Sequence, residues 1–498
     1  MRLTYCMRKH LSKINLLSQI RAQGNLYGFV DEQARHENSK KTVVVEYSSP
    51  NIAKPFHMGH LRSTILGHFL SNLYERHGWN VVRLNYLGDW GTQFGLLAMA
   101  FKKYGDEKKL EEDPLQHLFE IYVSVNKDVS QDPHKINDEA VETFRKMEEG
   151  DSELLAVWER LKDISLNEYE KVYKRLGIEF TEHHSESMYT KAGLAVIEDL
   201  KQQGLLRIDK HGRGYVEIQR KGRAVDVVVL KSNGTTLYIT RELGALIDRI
   251  KRYNFDKIHY VVENGQNLHF EHLHGIMSIM PEFKDRLNED LHVKFGRIHG
   301  MSTRAGNVVF LKDILDEGRN IMMKTLKDKR TTKVTEEEHP EIAEELCRSA
   351  MFAQDMGQKR VKSYPFSWER VLNFSQDSGP YLNYCHSRLC GIERNNPWTV
   401  QEDVAIDHLL TMKSAEQLCE HLEQYNEAVS KSLTHLEPYV IVKYLYTLCH
   451  LVNAAYKKCN VSTAEEQEAQ AYLQMFNASR LVLANGMTLL GLRPLEKM

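Results

Sequence analysis

Two histidines and a lysine lie close together in this chain and have side chains suited to binding phosphate. Lys54, His57 and His60 follow one another at intervals of three residues. Because His57 and His60 are about one helical turn apart, they face the same way, and each can donate a hydrogen bond to a phosphoryl oxygen. The amino end of a helix attracts phosphate, and Gly59 leaves room for a ribose or base. The pattern predicts a nucleotide site.

A β-α-β unit is predicted to position these residues. A strand over Thr42–Tyr47 precedes them, and a helix with apolar residues every four positions over 61–73 follows. A second strand, Asn80–Tyr86, then leads into the loop Leu87–Gly91. Ligands bind at the carboxyl edge of such sheets. The Asp-Trp-Gly sequence of this loop is therefore either part of the site or a structural turn.

Composition limits the classes of protein to consider. The 498 residues allow two or three domains with proper cores. There is no run of eighteen apolar residues, so no membrane span is expected. With a net charge of −2, a nucleic-acid partner would need a local basic surface. The seven cysteines show no C-x-x-C pair, which predicts a reduced compartment and no zinc site.

The rest of the chain reads as an interrupted α/β domain followed by helices. A charged helical region covers about 101–177 and splits the sheet domain. The predicted elements after it are strands over Gly214–Gln219 and Asp226–Leu230, a turn at Ser232–Gly234, a helix over Arg241–Arg252, a strand over Lys257–Glu263 and a helix over Leu268–Met280. From about Glu336 the pattern is helical and predicts a separate bundle.

Six segments of the sequence are the most informative. They are SSPNIAKPFHMGHLRSTILG at 48–67, NYLGDWGTQFGLLA at 85–98, LYITRELGALIDR at 237–249, GMSTRAGNVVFL at 300–311, DSGPYLNYCHSRL at 377–389 and LANGMTLLGL at 483–492. In wording and order they resemble the class I aminoacyl-tRNA synthetases, and among these the arginyl-tRNA synthetases, particularly the fungal and mitochondrial branch. The resemblance covers nearly everything after about residue 40.

The resemblance implies a Rossmann-type parallel-sheet catalytic domain of the α/β class with a helical insertion, followed by an all-α anticodon-binding bundle. The expected boundaries are 41–100 for the first half of the catalytic domain, 101–180 for the insertion, 181–325 for the second half and 326–498 for the bundle. Residues 1–40 are either a remnant of an amino-terminal tRNA-contacting domain or a targeting segment. The targeting alternative is based on the first thirty residues, which carry no acidic side chain.

The resemblance also implies the chemistry. The carboxylate of L-arginine would attack the α-phosphorus of ATP, bound with Mg²⁺, and release pyrophosphate. The arginyl group would then pass from the adenylate to the ribose hydroxyl at the 3′ end of tRNA(Arg), releasing AMP. The protein then needs positioning and charge stabilisation rather than its own nucleophile. The signature loop of the class is degenerate at Gly300–Arg304, so Lys54 would supply the missing charge, with Arg304 as a helper. The implied ATP contacts are His57, Gly59, His60, His269, Met301 and Ser302, with a core or capping role as the alternative for His269.

Two further groups of residues match functional positions of the family. Glu46, Asn51, Tyr238, Glu242 and Gln266 correspond to the arginine pocket, in which Glu46 would hold the α-ammonium group. Carboxylates suit this task because a guanidinium presents N–H donors in a planar fork. Relatives usually have Asp at the position of Glu242. In the helical region, the family reads the anticodon with the positions of Tyr381, Tyr384, Arg388 and Met498.

Two other classes of protein remain as alternatives. A small-molecule nucleotidyltransferase shares the His-x-Gly-His pocket but has no need of a long helical module. A catalytically inactive tRNA-binding paralogue would account for the degenerate loop and for Glu242. Under the synthetase interpretation, we expect a monomer without a membrane partner, located in the mitochondrion or, alternatively, in the cytoplasm. Arginine activation is then expected to require tRNA.

Overall fold

Four parallel strands form the centre of the sheet domain (residues 42–299). The computed structural model describes residues 16–54, 56, 58–299, 310–328, 333–367, 377–401, 404, 409 and 411–498. The strands are β1 (Thr42–Glu46), β2 (Asn80–Leu87), β3 (Glu182–Ser185) and β7 (Lys257–Tyr260), in the spatial order β3-β2-β1-β7. Val43, Val44 and Val45 of β1 are fully buried, as expected of a central strand covered on both faces.

The predicted β-α-β unit is confirmed. Helix α2 (Met58–Arg76) connects β1 to β2, and the two strands pair in parallel with Thr42 opposite Asn80. The shorter helix α1 (Glu32–Asn38) precedes β1. Gly67 allows α2 to lie directly on the residue after β1, because a Cβ atom at this position would be 2.1 Å from Cγ of Tyr47. Tyr47 is fully buried by this contact.

The helical insertion lies between β2 and β3 and is built from five helices. They are α3 (Thr92–Tyr104), α4 (Glu107–Glu112), α5 (Pro114–Gln131), α6 (Pro133–Glu148) and α7 (Ser152–Leu176). Helix α7 begins at an Asp151 side chain that accepts from the Glu153 and Leu154 amides, and it ends at Gly177 in the left-handed conformation, with φ of 67°.

After β3, the chain forms α8 (Thr190–Gln202) and a small antiparallel sheet before returning to the parallel sheet. This sheet consists of β4 (Leu206–Ile208), β5 (Gly214–Arg220) and β6 (Arg223–Leu230). Helix α9 (Tyr238–Tyr253) starts three residues before the predicted position because the Thr240 hydroxyl caps the Leu237 amide. Strand β7 ends at Tyr260 instead of Glu263, and α10 (Asn267–Ile279) follows.

The helical domain (residues 311–498) contains seven named helices within the described ranges. They are α11 (Leu311–Asp328), α12 (His339–Met356), α13 (Gly379–Arg394), α14 (Lys413–Glu423), α15 (Tyr425–His435), α16 (Tyr439–Tyr456) and α17 (Glu466–Leu489). A short parallel pair, β8 (Ile298–His299) with β9 (Tyr364–Pro365), joins the two domains. The predicted α/β domain followed by a helical bundle is therefore confirmed.

Residues 16–38 pack on the helical domain. Residues 16–23 are helical, and Leu17 and Ile20 are buried. Tyr27 stacks on Tyr425, and the Asn485 side chain donates to the carbonyl oxygens of Gly24 and Tyr27. Six cysteines lie within the described ranges, and all six are buried and free. None of the described helices is long and apolar enough to cross a lipid bilayer.

Replacing Gly67 with alanine should destabilise the protein by about 1–3 kcal/mol, because the added methyl group must displace the buried Tyr47 ring. Gly391 in α13 is the matched control, since a Cβ there would only approach the Asn395 side chain, at 3.9 Å. Gly391→Ala should be stabilising by up to about 1 kcal/mol through helix propensity. Thermal unfolding of the full chain tests both, and a Gly67→Ala protein that melts like the wild type would contradict the packing described.

Candidate active site

Acidic residues meet at the carboxyl edge of the parallel sheet. Glu46 ends β1, Asp89 follows β2 and Glu186 follows β3, while Glu242 lies in the first turns of α9. The chain passes from β3 at one end of the sheet to β7 on the far side of β1. Ligands bind beside such a change of direction because the loops on its two sides separate and leave a crevice.

Three carboxylates and two guanidinium groups form what we call the acidic cup: Glu46, Glu186, Glu242, Arg241 and Arg249. The Arg249 side chain is fully buried, and its Nη1 lies 2.5 Å from Oε2 of Glu46 and 3.4 Å from Oε1 of Glu242. At the rim, Arg241 Nη2 lies 3.3 Å from Oε2 of Glu186. With three negative and two positive groups, the cup has one unbalanced negative charge when all are ionised.

Burial raises the proton affinity of the cup. The pKa of Glu242 is raised to about 8, first by desolvation and then by the charge of Glu46, while Arg249 lowers it. The pKa of Glu186 is raised to about 7, mainly by desolvation, with Arg241 opposing. Desolvation also raises the pKa of Glu46 against the opposing charge of Arg249. The empty cup therefore holds protons near neutral pH, and a cationic ligand would release them.

Aromatic side chains surround the cup. The guanidinium of Arg249 lies over the rings of Tyr86 and Tyr260, at 4.9 and 5.5 Å from their centroids. The Tyr86 hydroxyl is buried without a hydrogen-bond partner among the described residues. Tyr238 is 45% exposed, and its ring lies 4.8 Å from that of His269.

The structure brings the predicted residues Glu46, Tyr238 and Glu242 together. The charges of both glutamates act on the Tyr238 phenol and raise its pKa, after the larger effect of desolvation. Gln266 is exposed in the short turn between β7 and α10. Asn51 lies beside the end of β2, where it forms an isolated parallel β-bridge with Gly88.

The loop after β1 is held in an unusual backbone conformation. Ser48, Ser49 and Ala53 have φ values of 73°, 49° and 56°. Such residues are strained and persist only where the surroundings fix them. The Ser48 amide donates to the Ser63 hydroxyl, and the Ala53 amide to that of Ser165.

Of the predicted ATP-binding residues, Gly59 and His60 belong to α2. His60 lies in its first turn with its ring 5.3 Å from that of Phe56, and Gly59 is exposed. The Lys54 Nζ is 3.4 Å from Oε1 of Gln93 and lies over the Tyr122 ring. His57, Met301, Ser302 and Arg304 lie outside the described residues.

His269 is held as a neutral imidazole next to the cup. Desolvation, together with His272 and His292, lowers its pKa to about 4. Its Nε2 is buried and has no hydrogen-bond partner among the described residues. A neutral ring with a free nitrogen can accept from, or donate to, a ligand but brings no charge.

The Asp-Trp-Gly turn after β2 has a structural role. Asp89 is fully buried, accepts from the amide and hydroxyl of Ser187, and pairs with Lys162 at 2.7 Å. Trp90 packs against Trp158 of α7. Asp89 thus fixes the residue next to Glu186 and supports the cup without facing it.

A second candidate site lies in the helical domain. Arg388 lies between the rings of Tyr384 and Tyr456, 4.6 and 5.3 Å from their centroids, and these tyrosines are 42% and 44% exposed. Tyr381 is buried, and its hydroxyl accepts from the Asn453 side chain. A cavity of about 650 Å³ opens here, and its lining includes Lys333, Tyr384, Arg388, Tyr456, Lys497 and Met498.

Sequence reasoning missed Arg249, Glu186 and Tyr456. A signal existed for Arg249, which follows Glu242 by seven residues and therefore lies on the same face of α9. Glu186 and Tyr456 had none, because only the fold brings them to their sites. Within the described ranges, no group of three or more histidine, cysteine or acidic side chains is arranged to hold a metal ion.

Comparison with known proteins identifies both domains. Residues 19–368 match the family model described as tRNA synthetases class I (R), catalytic domain, and residues 382–498 match the DALR anticodon binding domain. The cytoplasmic arginine–tRNA ligase of Saccharomyces cerevisiae is 44% identical over 92% of this chain and 77% of its own. A probable mitochondrial arginine–tRNA ligase of Bos taurus is 42% identical over 99% of this chain and 84% of its own.

Comparison with solved structures gives the same family. The chain is similar to the arginyl-tRNA synthetase of Plasmodium falciparum, with a TM-score of 0.77, 28% identity and coverage of 92% of this chain and 77% of that one. A Thermus thermophilus arginyl-tRNA synthetase shares the fold, with a TM-score of 0.78, 20% identity and coverage of 94% and 86% of the two chains. The comparisons support the synthetase interpretation over both alternatives. With its class I catalytic domain and its DALR domain, this chain is a ligase that belongs to the arginyl-tRNA synthetase family.

Proposed function

We propose that the chain activates L-arginine with ATP and transfers the arginyl group to the 3′ end of tRNA(Arg). The acidic cup carries this proposal. Its one unbalanced negative charge is complementary to the guanidinium of one substrate molecule. Buried carboxylates discriminate strongly against ligands that lack the matching donors, because their oxygens would then stay buried and unpaired.

The residues of the predicted arginine pocket take different parts in recognition. Glu46 binds the α-ammonium group with Asn51 nearby, while Tyr238, Glu242 and Gln266 bind the side chain. We add Glu186, which pairs with Arg241 at 3.3 Å, as a further carboxylate for the guanidinium. Arg249 limits the charge, since its Nη1 already occupies one oxygen each of Glu46 and Glu242. The remaining oxygens are left for the substrate.

The amino end of α2 receives ATP. The substrate supplies the nucleophile, so the protein stabilises charge on the phosphoryl oxygens through His57, His60 and Lys54, with Arg304 as a helper. The remaining ATP contacts are Gly59, His269, Met301 and Ser302. Mg²⁺ enters with ATP and neutralises phosphate charge when bound. We assign it no ligand from this chain.

The aromatic surface of the helical domain binds the anticodon loop. Tyr384 and Tyr456 are exposed rings on which unpaired bases can stack, and Arg388 between them can pair with phosphate or a base edge. Met498 lines the same cavity. Tyr381, which is buried, positions the Asn453 side chain beside Arg388.

We also propose that the protein is a mitochondrial monomer. The name of the Bos taurus relative supports the mitochondrion, while the Saccharomyces cerevisiae relative keeps the cytoplasm as the alternative.

Charging assays test the proposed function directly. Incubated with ATP, tRNA and each of the twenty amino acids in turn, the full chain should attach only arginine. Pyrophosphate release should require arginine and tRNA together, as the family resemblance implies. Binding of tRNA without charging would refute the proposal in favour of an inactive paralogue.

A matched pair of substitutions at Glu242 tests the cup. Glu242→Gln should weaken arginine binding by about 2–5 kcal/mol, because it removes one partner of a buried charged contact. Glu242→Asp keeps the charge and should stay within about tenfold of the wild-type KM for arginine, or about 1.4 kcal/mol. Steady-state charging at saturating ATP and tRNA measures both, and equal effects of the two changes would contradict a charge-based role.

Arginine affinity should fall as the pH falls below about 8, the raised pKa of Glu242. A protonated carboxyl group must lose its proton before it can pair with the cation, so affinity can fall by up to about tenfold per pH unit for one proton. Calorimetry in two buffers with different ionisation enthalpies should show proton release on binding at pH 7. Heats that are independent of the buffer would contradict this.

Tyr384→Ala should lower kcat/KM for tRNA about tenfold, because base stacking contributes roughly 1–3 kcal/mol per base. Tyr384→Phe is the control, since it retains the ring and should stay within about twofold, less than the 1.4 kcal/mol of a tenfold change. The KM for arginine should not change in either variant. A tRNA-specific loss of equal size in both would assign the role to the hydroxyl instead.

A further inference from the structure

One buried ion pair connects the nucleotide-binding helix to the helical domain. Arg62 lies two residues after His60 in α2, and its Nε is 3.1 Å from Oδ1 of Asp355 near the end of α12. The side chains of Arg62 and Asp355 are 0% and 3% exposed. Tyr364 of β9 donates its hydroxyl to the same carboxylate oxygen at 2.8 Å. We call Arg62, Asp355 and Tyr364 the interdomain joint.

The joint also fixes the segments that connect the domains. Arg62 Nη1 donates to the carbonyl oxygens of Gly296, before β8, and of Lys362, before β9, at 2.5 and 2.8 Å. Its guanidinium lies over the Tyr364 ring at 5.0 Å. The two backbones are in direct contact, since a Cβ on Gly296 would lie 2.5 Å from the carbonyl carbon of Lys362. A single guanidinium of α2 thus contacts α12, the segment before β8 and the segment that leads into β9.

Helix α12 in turn carries the helix with the anticodon-facing side chains. At the start of α13, Gly379 packs on α12 so closely that a Cβ would lie 1.9 Å from the Ser349 carbonyl oxygen. Tyr384 and Arg388 lie further along α13. A shift of α13 on binding tRNA would therefore move α12, and with it Asp355.

Burial makes the joint stiff. No water is available to replace a lost hydrogen bond, and separating the pair would leave an uncompensated charge in a low dielectric. Helix α2 must consequently follow α12, or the pair must break. Arg360 forms a second interdomain contact, because its side chain donates to the carbonyl oxygens of Lys294 in the sheet domain and of Leu436 in the helical domain. The segment before β9 is therefore bound to both domains.

We propose that the interdomain joint couples tRNA binding on the helical domain to the chemical step, with Arg62 as the positioning residue that sets the amino end of α2. The inference rests on the proposed function. Arg62 does not contact the substrate and acts through the placement of His60. Loss of the joint should lower kcat while arginine and tRNA still bind.

The test compares two interdomain ion pairs that both end on α12. Asp355→Asn removes the charge from the joint. Glu344→Gln is the matched control, because Glu344 pairs with Arg175 of α7 at 2.8 Å but does not contact α2. For Asp355→Asn, kcat for charging should fall about tenfold, with the KM for arginine and the Kd for tRNA within about twofold, a size typical of coupling between sites. The control should stay within about twofold of wild type in kcat, less than such a coupling effect.

Tyr364→Phe keeps the proposal testable if Asp355→Asn does not fold, since it removes one hydrogen bond from the joint. It should lower kcat in the same direction by a smaller factor. A loss of kcat of equal size in the Glu344→Gln control, or a change in tRNA Kd alone, would reduce the joint to general structural support and overturn the proposal.

A double-mutant cycle distinguishes coupling from stability. At saturating tRNA, Tyr384→Ala should lower kcat in the wild-type background but add less than about twofold in the Asp355→Asn background, because the path is already broken. Effects that multiply, or a wild-type kcat indifferent to Tyr384→Ala, would overturn the coupling. A wild-type chain that attaches no arginine to tRNA would instead refute the proposed function itself.

Discussion

The buried guanidinium of Arg249 is the contact on which the active site depends. It binds Glu46 at the end of β1 and Glu242 on α9, donates to the Tyr260 hydroxyl on β7, and lies over the Tyr86 ring of β2. One side chain therefore docks α9 on three strands. Without it, the carboxyl groups of the cup, which already hold protons near neutral pH, would keep them to still higher pH and bind a cation less well. Selectivity and folding thus rely on the same ion pair.

Sequence patterns predicted the order of elements well and the inner geometry of the site poorly. Periodicity placed β1, α2 and β2 nearly to the residue, because these segments are local and strongly patterned. Helix α9 begins at Tyr238, three residues before the predicted start, because the Thr240 side chain caps the Leu237 amide. The role of Glu186 could not be predicted from its position, because tertiary packing decides which charges meet. Arg249 had one signal, its spacing of seven residues from Glu242.

Buried polar contacts serve different purposes in the acidic cup and in the interdomain joint. Inside the cup, charges are left incompletely paired, so that a ligand completes the set. At the interdomain joint, Arg62 contacts Asp355 of α12 and the backbone segments before β8 and β9. Buried charge is costly in both places. In the first, the cost supports recognition of a cation, and in the second it supports a fixed orientation between the sheet and the helices.

One face of helix α7, in the insertion, contacts the loops of the active site. Along it, every third or fourth side chain binds a loop of the active site: Trp158 and Lys162 hold Asp89, Ser165 holds Ala53, Tyr169 holds the carbonyls of Asn51 and Lys54, and Tyr173 holds Ser48. Local unfolding proceeds in cooperative units defined by such contacts. Opening of α7 would release the strained backbone after β1. The amide hydrogens of this helix and of the active-site loops should therefore exchange with solvent together. The insertion is thereby part of the catalytic scaffold rather than an appendage to it.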